Sequence, residues 1–325
     1  MLRRSFIAGT LSVAPLAAPS IVRAQQWPTH PIRMLVPYSP GATGDIGARL
    51  YGEELGKTLG QTIVIDNKTG AGGTIAMAEL ARSTPDGYTL GVIAQGLLVY
   101  NLGLYKNPGY DPFKDLIILS INFSVANVLI VNPSNPAKSV ADIVAQAKAK
   151  NGAYTFASGG VGTSHHMSGV LFEMRSGVKM THVPYRATTA GIQAVVNGEV
   201  DMGMFNTPTV VSLIRAGKLK ALAVTSDHRL EQLPELPTMI ESGFKDFVVD
   251  TWLGFGAPAA LPKPLVTKLN AEFNRLTDTP EMRKKFLDQG ISPWPARSPE
   301  EAMAFLKKDS DFWLPIIKAS GATAE

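Results

Sequence analysis

Three times in this chain a strand runs into a Gly-rich turn and a helix starts at once. The turns are Pro37-Tyr-Ser-Pro-Gly-Ala-Thr-Gly-Asp45, Asn67-Lys-Thr-Gly-Ala-Gly-Gly-Thr74 and Ala157-Ser-Gly-Gly-Val-Gly-Thr-Ser-His165. This layout constrains the fold more than any other feature, because strand–helix–strand alternation implies mostly parallel sheets covered by helices. It also constrains chemistry. Such turns bring backbone N–H groups beside helix N-termini, where anions are stabilised.

From Ile32 the alternation reads as strand (Ile32 to Tyr38), helix with an apolar stripe at Ile46, Leu50, Leu55 and Leu59, and strand (Thr62 to Ile65). A helix from Ile75 to Arg82 and a strand from Tyr88 to Ala94 follow. The stretch Leu102 to Asp115 is rich in Gly, Pro, Asn and Asp and breaks the pattern. A short strand at Val128 to Val131 opens a second α/β unit, which continues to Thr225. Val248 to Gly256 reads as an extended return, and three helices, Pro264 to Leu276, Glu281 to Asp288 and Pro299 to Ile317, finish the chain. The last 75 residues either stay on the second unit, after one crossing near 126, or return to the first, after crossings near 126 and 252. The second arrangement encloses a cleft between two hinged lobes.

Residues 1–24 read as an export signal: Arg3-Arg4, a mostly apolar run from Phe6 to Ile21, and Val22-Arg23-Ala24 before Gln25. Arg3-Arg4-Ser5-Phe6-Ile7 fits both a twin-arginine and an ordinary secretory signal. The expected location is the periplasm. The chain carries 31 basic and 27 acidic residues, a net +4. Arg3, Arg4 and Arg23 supply three of those charges and no acid accompanies them, so the mature chain is near +1. No Lys/Arg cluster suggests nucleic acid as a partner. With no Cys, disulfides, Cys-ligated zinc, iron–sulfur sites and a thiol nucleophile are excluded.

The turns supply the candidate binding residues. Gly41 and Ala42 allow a sharp bend, Thr43 offers a hydroxyl to a carboxylate, and Asp45 is expected to start the helix and accept from its free N–H groups. Gly70-Ala-Gly-Gly73 lacks the Gly-x-Gly-x-x-Gly of dinucleotide sites, and no Gly-Lys-Ser/Thr is present, so no nucleotide cofactor is expected. Thr163 or Ser164 caps the helix after the third turn. Tyr185 and Arg186 end one strand, and Phe205-Asn206-Thr207 ends another. Asn206 suits the non-carboxylate end of a ligand, and Tyr38 and Phe205 permit a partly apolar solute. The five histidines, His30, His165, His166, His182 and His228, have no metal-site spacing and are assigned to capping or packing. Ser158 or Ser164 with His182 would make a nucleophile and base, but no Gly-x-Ser-x-Gly elbow supports it. A periplasmic hydrolase or lyase on a small acid or ester stays as the alternative, and a signalling sensor as a third reading.

The motifs, taken in order, resemble the Bug/TctC family, the extracytoplasmic solute receptors of tripartite tricarboxylate transporters. The resemblance runs through Val36-Pro-Tyr-Ser-Pro-Gly-Ala-Thr-Gly-Asp-Ile-Gly-Ala-Arg49, Asn67 to Gly73, Pro85-Asp-Gly-Tyr-Thr-Leu90 and Gly160-Val-Gly-Thr-Ser-His165. Val183-Pro-Tyr185, Gly198-Glu-Val-Asp201, Leu233-Pro-Glu-Leu-Pro-Thr238 and Gly254-Phe-Gly-Ala-Pro258 extend it over most of the mature chain. It implies a type II periplasmic-binding α/β fold with two lobes and a ligand cleft, divided as 25–126, 127–252 and 253–325. It implies a non-catalytic receptor, expected to be a monomer without cofactor or metal. That receptor would bind a small organic carboxylate through backbone N–H groups and deliver it to a membrane permease. Carried over by position, the site is Tyr38, Gly41, Ala42, Thr43, Asp45, Gly72 and Gly73 from the first lobe. Ser158, Gly162, Thr163, Ser164, Tyr185 and Asn206 come from the second. The chain departs from the family at Ala42 and Ala187 (usually Gly), Gly44 (usually Thr), Lys68-Thr69 (usually Arg-Pro) and Phe205 (usually Asp). Loss of that acid argues against an amino-group ligand, and the added ring for an apolar or aromatic body.

Overall fold

The computed structural model describes residues 27–324, so the export signal lies outside the described residues. In chain order the elements are β1 (Ile32–Val36), α1 (Thr43–Leu59), β2 (Ile63–Asn67), α2 (Thr74–Arg82) and β3 (Thr89–Ala94). A π-helical turn (Gly96–Tyr100) leads into α3 (Asn101–Leu104), then β4 (Leu116–Val131), α4 (Val140–Lys150), β5 (Thr155–Ser158) and α5 (Ser164–Ser176). Next come β6 (Thr181–Pro184), α6 (Thr188–Asn197), β7 (Met202–Asn206), α7 (Thr207–Arg215) and β8 (Lys220–Val224). The chain ends with β9 (Asp250–Pro258), α8 (Lys263–Thr277), α9 (Pro280–Gln289), β10 (Ser292–Pro293) and α10 (Pro299–Ser320).

Two lobes share one curled sheet of order β2-β1-β3-β9-β4-β7-β5-β6, with β8 and β10 also on β4. The shared strand is β4. Its residues from Leu116 to Ala126 pair with β9, while Asn127 to Val131 pair with β7, and Val128 to Val131 also with β8. The sequence reading caught only the last four residues of this strand. Ser120, Asn122, Ser124 and Asn127 interrupt its apolar pattern, and tertiary burial overrides them; all four are at most 2% exposed. Both lobes pair parallel strands at their outer edges, β1 with β2 and β3, and β5 with β6 and β7. The crossing strands β4 and β9 are antiparallel to each other and to their neighbours, because one leaves the first lobe and the other returns.

Helix α1 shows why small residues matter in this packing. It buries Ala48, Tyr51 and Leu55, whereas Ile46, Leu50 and Leu59 of the expected stripe are only half-buried. The face is turned toward glycines. A Cβ at Gly47 would stand 2.3 Å from Phe123 Cζ, so the absence of a side chain lets that ring in. Tyr51 then closes an aromatic cluster with Phe123, Phe255, Phe273 and Phe286, centroids 4.8–6.3 Å from its own. Each such buried ring contributes about 2 kcal/mol through burial. The cluster packs α8 and α9 against α1, β4 and β9.

Candidate functional site

A cavity of ≈ 660 Å³ lies between the lobes, a size typical of small-molecule sites. Lobe one contributes Pro37–Ser39, Ala42–Gly44, Thr69–Gly73, Gly96, Leu97 and Tyr105. Lobe two contributes the turn Gly159–His165, Pro184–Arg186, Thr188 and Asn206, and the crossing strand β9 adds Thr251 and Leu253. The structure thus brings Tyr38, Ala42, Thr43, Gly72, Gly73, Gly162, Thr163, Ser164, Tyr185 and Asn206 to one cavity wall.

Gly41, Asp45 and Ser158 stand behind that wall. Asp45 is the third residue of α1 rather than its start, and its oxygens are occupied. Oδ2 accepts from the Gly41 N–H and Arg49 Nε, and Oδ1 from Asn67 Nδ2, each at 2.9 Å. Those donors outweigh burial and hold its carboxyl below the usual range. Asp45 therefore braces the turn and fixes Gly41, whose φ of 80° needs glycine. Ser158 is fully buried; its hydroxyl bonds His182 Nε2 at 2.7 Å and both donates to and accepts from the Gly160 backbone. A Ser–His pair exists, but its oxygen has no access to a substrate, so it does not act as a nucleophile. Phe205 is also fully buried, packed over Gly191 and Gly203 and against His165. Its ring does not face the cavity, which removes the sequence argument from Phe205 for an apolar ligand body.

Most helices that begin at the cleft lack a side-chain cap, as does α8 (N-cap Pro262) away from it. At α1, α2, α6 and α7 the N-cap side chain makes no capping bond; the N-cap residues are Ala42, Gly73, Ala187 and Asn206. Three helices that start elsewhere, α4, α9 and α10, are capped by Ser139, Thr279 and Ser298. The first four N–H groups of a helix have no partner within it. Four helices thus present uncapped positive ends around one cavity, whose lining contains no Asp or Glu. At α5, Thr163 is the cap and accepts from the His166 N–H at 3.3 Å.

A buried polar network joins the lobes behind the cavity. Asn206 Oδ1 accepts from Thr43 Oγ1 of the first lobe at 3.2 Å and from His165 Nε2 at 3.1 Å. Asn206 Nδ2 donates to Asn127 Oδ1 at 2.6 Å. Asn127 sits where β4 changes partners from β9 to β7. The Gly159 N–H donates to His165 Nδ1, so Nε2 carries the proton in this network.

Burial pushes His165 and His166 from 6.5 to about 4, and burial with the neighbouring His166 pushes His182 to about 3. Their depressed values have a sign. The unfolded chain binds protons near 6.5 while the folded rings stay neutral, so stability is full above that pH and falls as pH drops toward 4. His165 and His166 should each cost roughly 2 kcal/mol by pH 5. Urea unfolding at pH 7.5 and 5.0 checks this; equal midpoints would refute it.

Sequence reasoning missed Gly96, Asn127 and Thr251. A lone Asn within Val125-Ala-Asn-Val-Leu-Ile-Val131 was a readable sign of a buried polar node. Gly96 gave no local sign, because its role depends on the opposite lobe: a Cβ there would lie 2.5 Å from the Gly162 carbonyl oxygen.

Two α/β lobes on crossing strands, with helix N-termini converging on the cleft between them, define the class as a solute-binding protein of the periplasmic-receptor type. Comparison with known proteins agrees. Residues 48–322 match the family described as Tripartite tricarboxylate transporter family receptor, TctC, and the chain belongs to that family. It is 32% identical to Protein BugT of Bordetella pertussis over 313 residues, 96% of this chain and 95% of that one. Among solved structures, R. palustris Rpa4515 with adipate superimposes with TM-score 0.88 at 31% identity, covering 91% of this chain and 99% of the other. MatC (Rpa3494) from Rhodopseudomonas palustris with bound malate gives 0.85 at 30% identity, covering 90% and 100%. The chain is therefore a transport receptor that delivers a small carboxylate to a tripartite tricarboxylate-type membrane transporter, not an enzyme.

Proposed function

We propose that this receptor captures an organic acid in the periplasm as a monomer, gripping one carboxylate between the two lobes. In this reading Thr43 and Gly72 offer main-chain N–H groups from the first lobe, and Ala42 and Gly73 shape the wall beside them, their own N–H groups being bonded to the Ser39 and Gly70 carbonyls. Gly162, Thr163, Ser164, Tyr185 and Asn206 complete the enclosure from the second, and Tyr38 covers the ligand body. Asp45, Gly41 and Ser158 serve by holding the turns in shape. The lobes divide at 126/127 and again at 252/253, a proposal supported by the change of pairing partner at Asn127 and by β9, which begins at Asp250 and runs back along β4. The observation that carries the reading is the convergence of uncapped helix N-termini on a cavity without acidic lining. Bound adipate and malate in two relatives support the ligand class.

The test is a thermal-shift panel on residues 25–325, unfolded and refolded to remove carried ligand. It spans mono-, di- and tricarboxylates, aromatic acids and acidic amino acids. A ligand at about 100 times its Kd stabilises by about 2.7 kcal/mol, which amounts to a rise of several degrees. A saturable rise with one acid class is expected. Folded protein that responds to no acid across the panel would contradict the reading.

A further inference from the structure

His182 touches no ligand-facing surface, yet it stands directly behind the ligand turn of the second lobe. The parallel register sets Phe156 of β5 beside His182 of β6. Phe156 and Ser158 lie two residues apart on one face of the sheet, so His182 adjoins both. Its ring stacks on Phe156 with centroids 4.8 Å apart, and on His166 of α5 with centroids 4.2 Å apart. Gly169 of α5 leaves room for this stack: a Cβ there would stand 2.2 Å from Phe156 Cε2. His166 and His182 line a separate cavity of ≈ 390 Å³ and do not line the ligand cleft.

The main-chain N–H groups of the turn fall into two sets. One set is committed to histidines or to the hydroxyl that a histidine holds. The Gly159 N–H donates to His165 Nδ1 at 3.3 Å and the Gly162 N–H to His166 Nδ1 at 3.5 Å. The Gly160 N–H donates to Ser158 Oγ, and the Ser158 hydroxyl donates to the Gly160 carbonyl, both at 3.1 Å. With its one proton given, Ser158 Oγ accepts from His182 at 2.7 Å, so Nε2 of that ring carries the proton. Burial keeps both stacked rings neutral at pH 7. The other set is free. The Val161 and Ser164 N–H groups make no hydrogen bond with the described residues, and both residues line the cleft.

We propose that His182 is a positioning residue for ligand capture: through Ser158 it locks Gly160 in the one conformation that leaves the Val161 and Ser164 N–H groups for an anion. The proposal rests on the cleft being a carboxylate site. Gly160, at a φ of 118°, has wide conformational freedom, and the Ser158 hydroxyl is the side chain that bonds both its N–H and its carbonyl. Without the His182 donor that hydroxyl is free to rotate. The turn then samples conformers in which the two N–H groups do not converge, and affinity falls with the competent fraction.

The test measures calorimetric Kd for acetate, succinate, malate, adipate, citrate and benzoate, together with any further acid that the thermal-shift panel identifies. The proteins are the wild type, His182→Leu, His182→Gln, His182→Asn, Ser158→Ala and Ser158→Ala with His182→Leu. His182→Leu should weaken binding about tenfold, the worth of one well-made hydrogen bond, with Tm within about 3 °C of wild type. His182→Gln places an amide N–H where Nε2 stood and should bind within about threefold of wild type. The shorter Asn amide reaches only the position of Nδ1, so His182→Asn should bind like His182→Leu. Ser158→Ala should show the same loss, and adding His182→Leu to it should weaken binding by no more than about a further twofold, because the two groups act through one bond. Wild-type affinity in folded His182→Leu, equal affinities in the Gln and Asn variants, or losses that multiply in the double variant overturn the assignment and leave the receptor reading standing. If His182→Leu does not fold, the Gln–Asn comparison decides. Folded wild type that binds none of these acids overturns both.

Discussion

Gly96→Ala should weaken carboxylate binding about a hundredfold while the protein folds with unchanged stability. Gly96 begins the π-helical turn after β3, and its φ lies outside the left-handed region, so alanine meets no backbone strain there. What alanine meets is the other lobe. Its Cβ would sit 2.5 Å from the carbonyl oxygen of Gly162, closer than real Cβ contacts come. That oxygen is main chain, on a turn whose Gly162 φ of 82° leaves it little room to yield. The lobes must part, and a ligand that binds through both loses the closed population it selects. Gly72 has a similar neighbour, the Val161 carbonyl oxygen, 2.9 Å from where a Cβ would stand, but its φ of 59° would add strain and blur the result. Calorimetry with the acid found by thermal shift, alongside urea unfolding, separates the two effects. Wild-type affinity in Gly96→Ala would show that closure does not need this contact.

Asn206→Ala should cost stability as well as binding. Its amide holds Thr43, His165 and Asn127 together, and all three partners are at most 4% exposed. Truncation leaves the Asn127 oxygen and the His165 N–H buried without these partners. Unsatisfied groups of that kind cost roughly 2–4 kcal/mol together, so Tm should fall by about 3–6 °C. The Thr43 bond is the only one of the three that crosses between lobes by a first-lobe hydroxyl, so Thr43→Val should reproduce the binding loss with a smaller stability loss. A Tm in Asn206→Ala within about 1 °C of wild type would mean that water replaces the amide and the network is not structural.

Much of this architecture was legible in the sequence because it rests on local patterns. Helices α2, α8, α9 and α10 begin and end close to where apolar periodicity, prolines and glycines place them. The Gly-rich turns announced the cavity, since a turn that lets backbone approach a ligand needs those residues wherever it sits. Features that depend on distant chain were hidden. Polar residues spaced through β4 masked an eleven-residue stretch that pairs with β9. Phe205 looked like a ligand-facing ring at a strand end, yet Gly191 and Gly203 open a slot for it inside the second lobe. Gly44 in place of the family's usual Thr looked like a lost hydroxyl. In the structure a Cβ there would lie 2.3 Å from Tyr38 Cδ2, so the smaller residue admits the ring at the cavity wall. In each case the decisive neighbour lies elsewhere in the chain.

The central claim is that one small acid is held between the two lobes at the helix N-termini. A crystal structure of refolded residues 25–325 with the acid chosen by thermal shift tests it most directly. The account predicts a carboxylate within hydrogen-bond distance of main-chain N–H groups in both the Ala42–Gly44 and Gly162–Ser164 turns, with Gly96 against Gly162. An acid bound to one lobe alone, or outside this cleft, would contradict it.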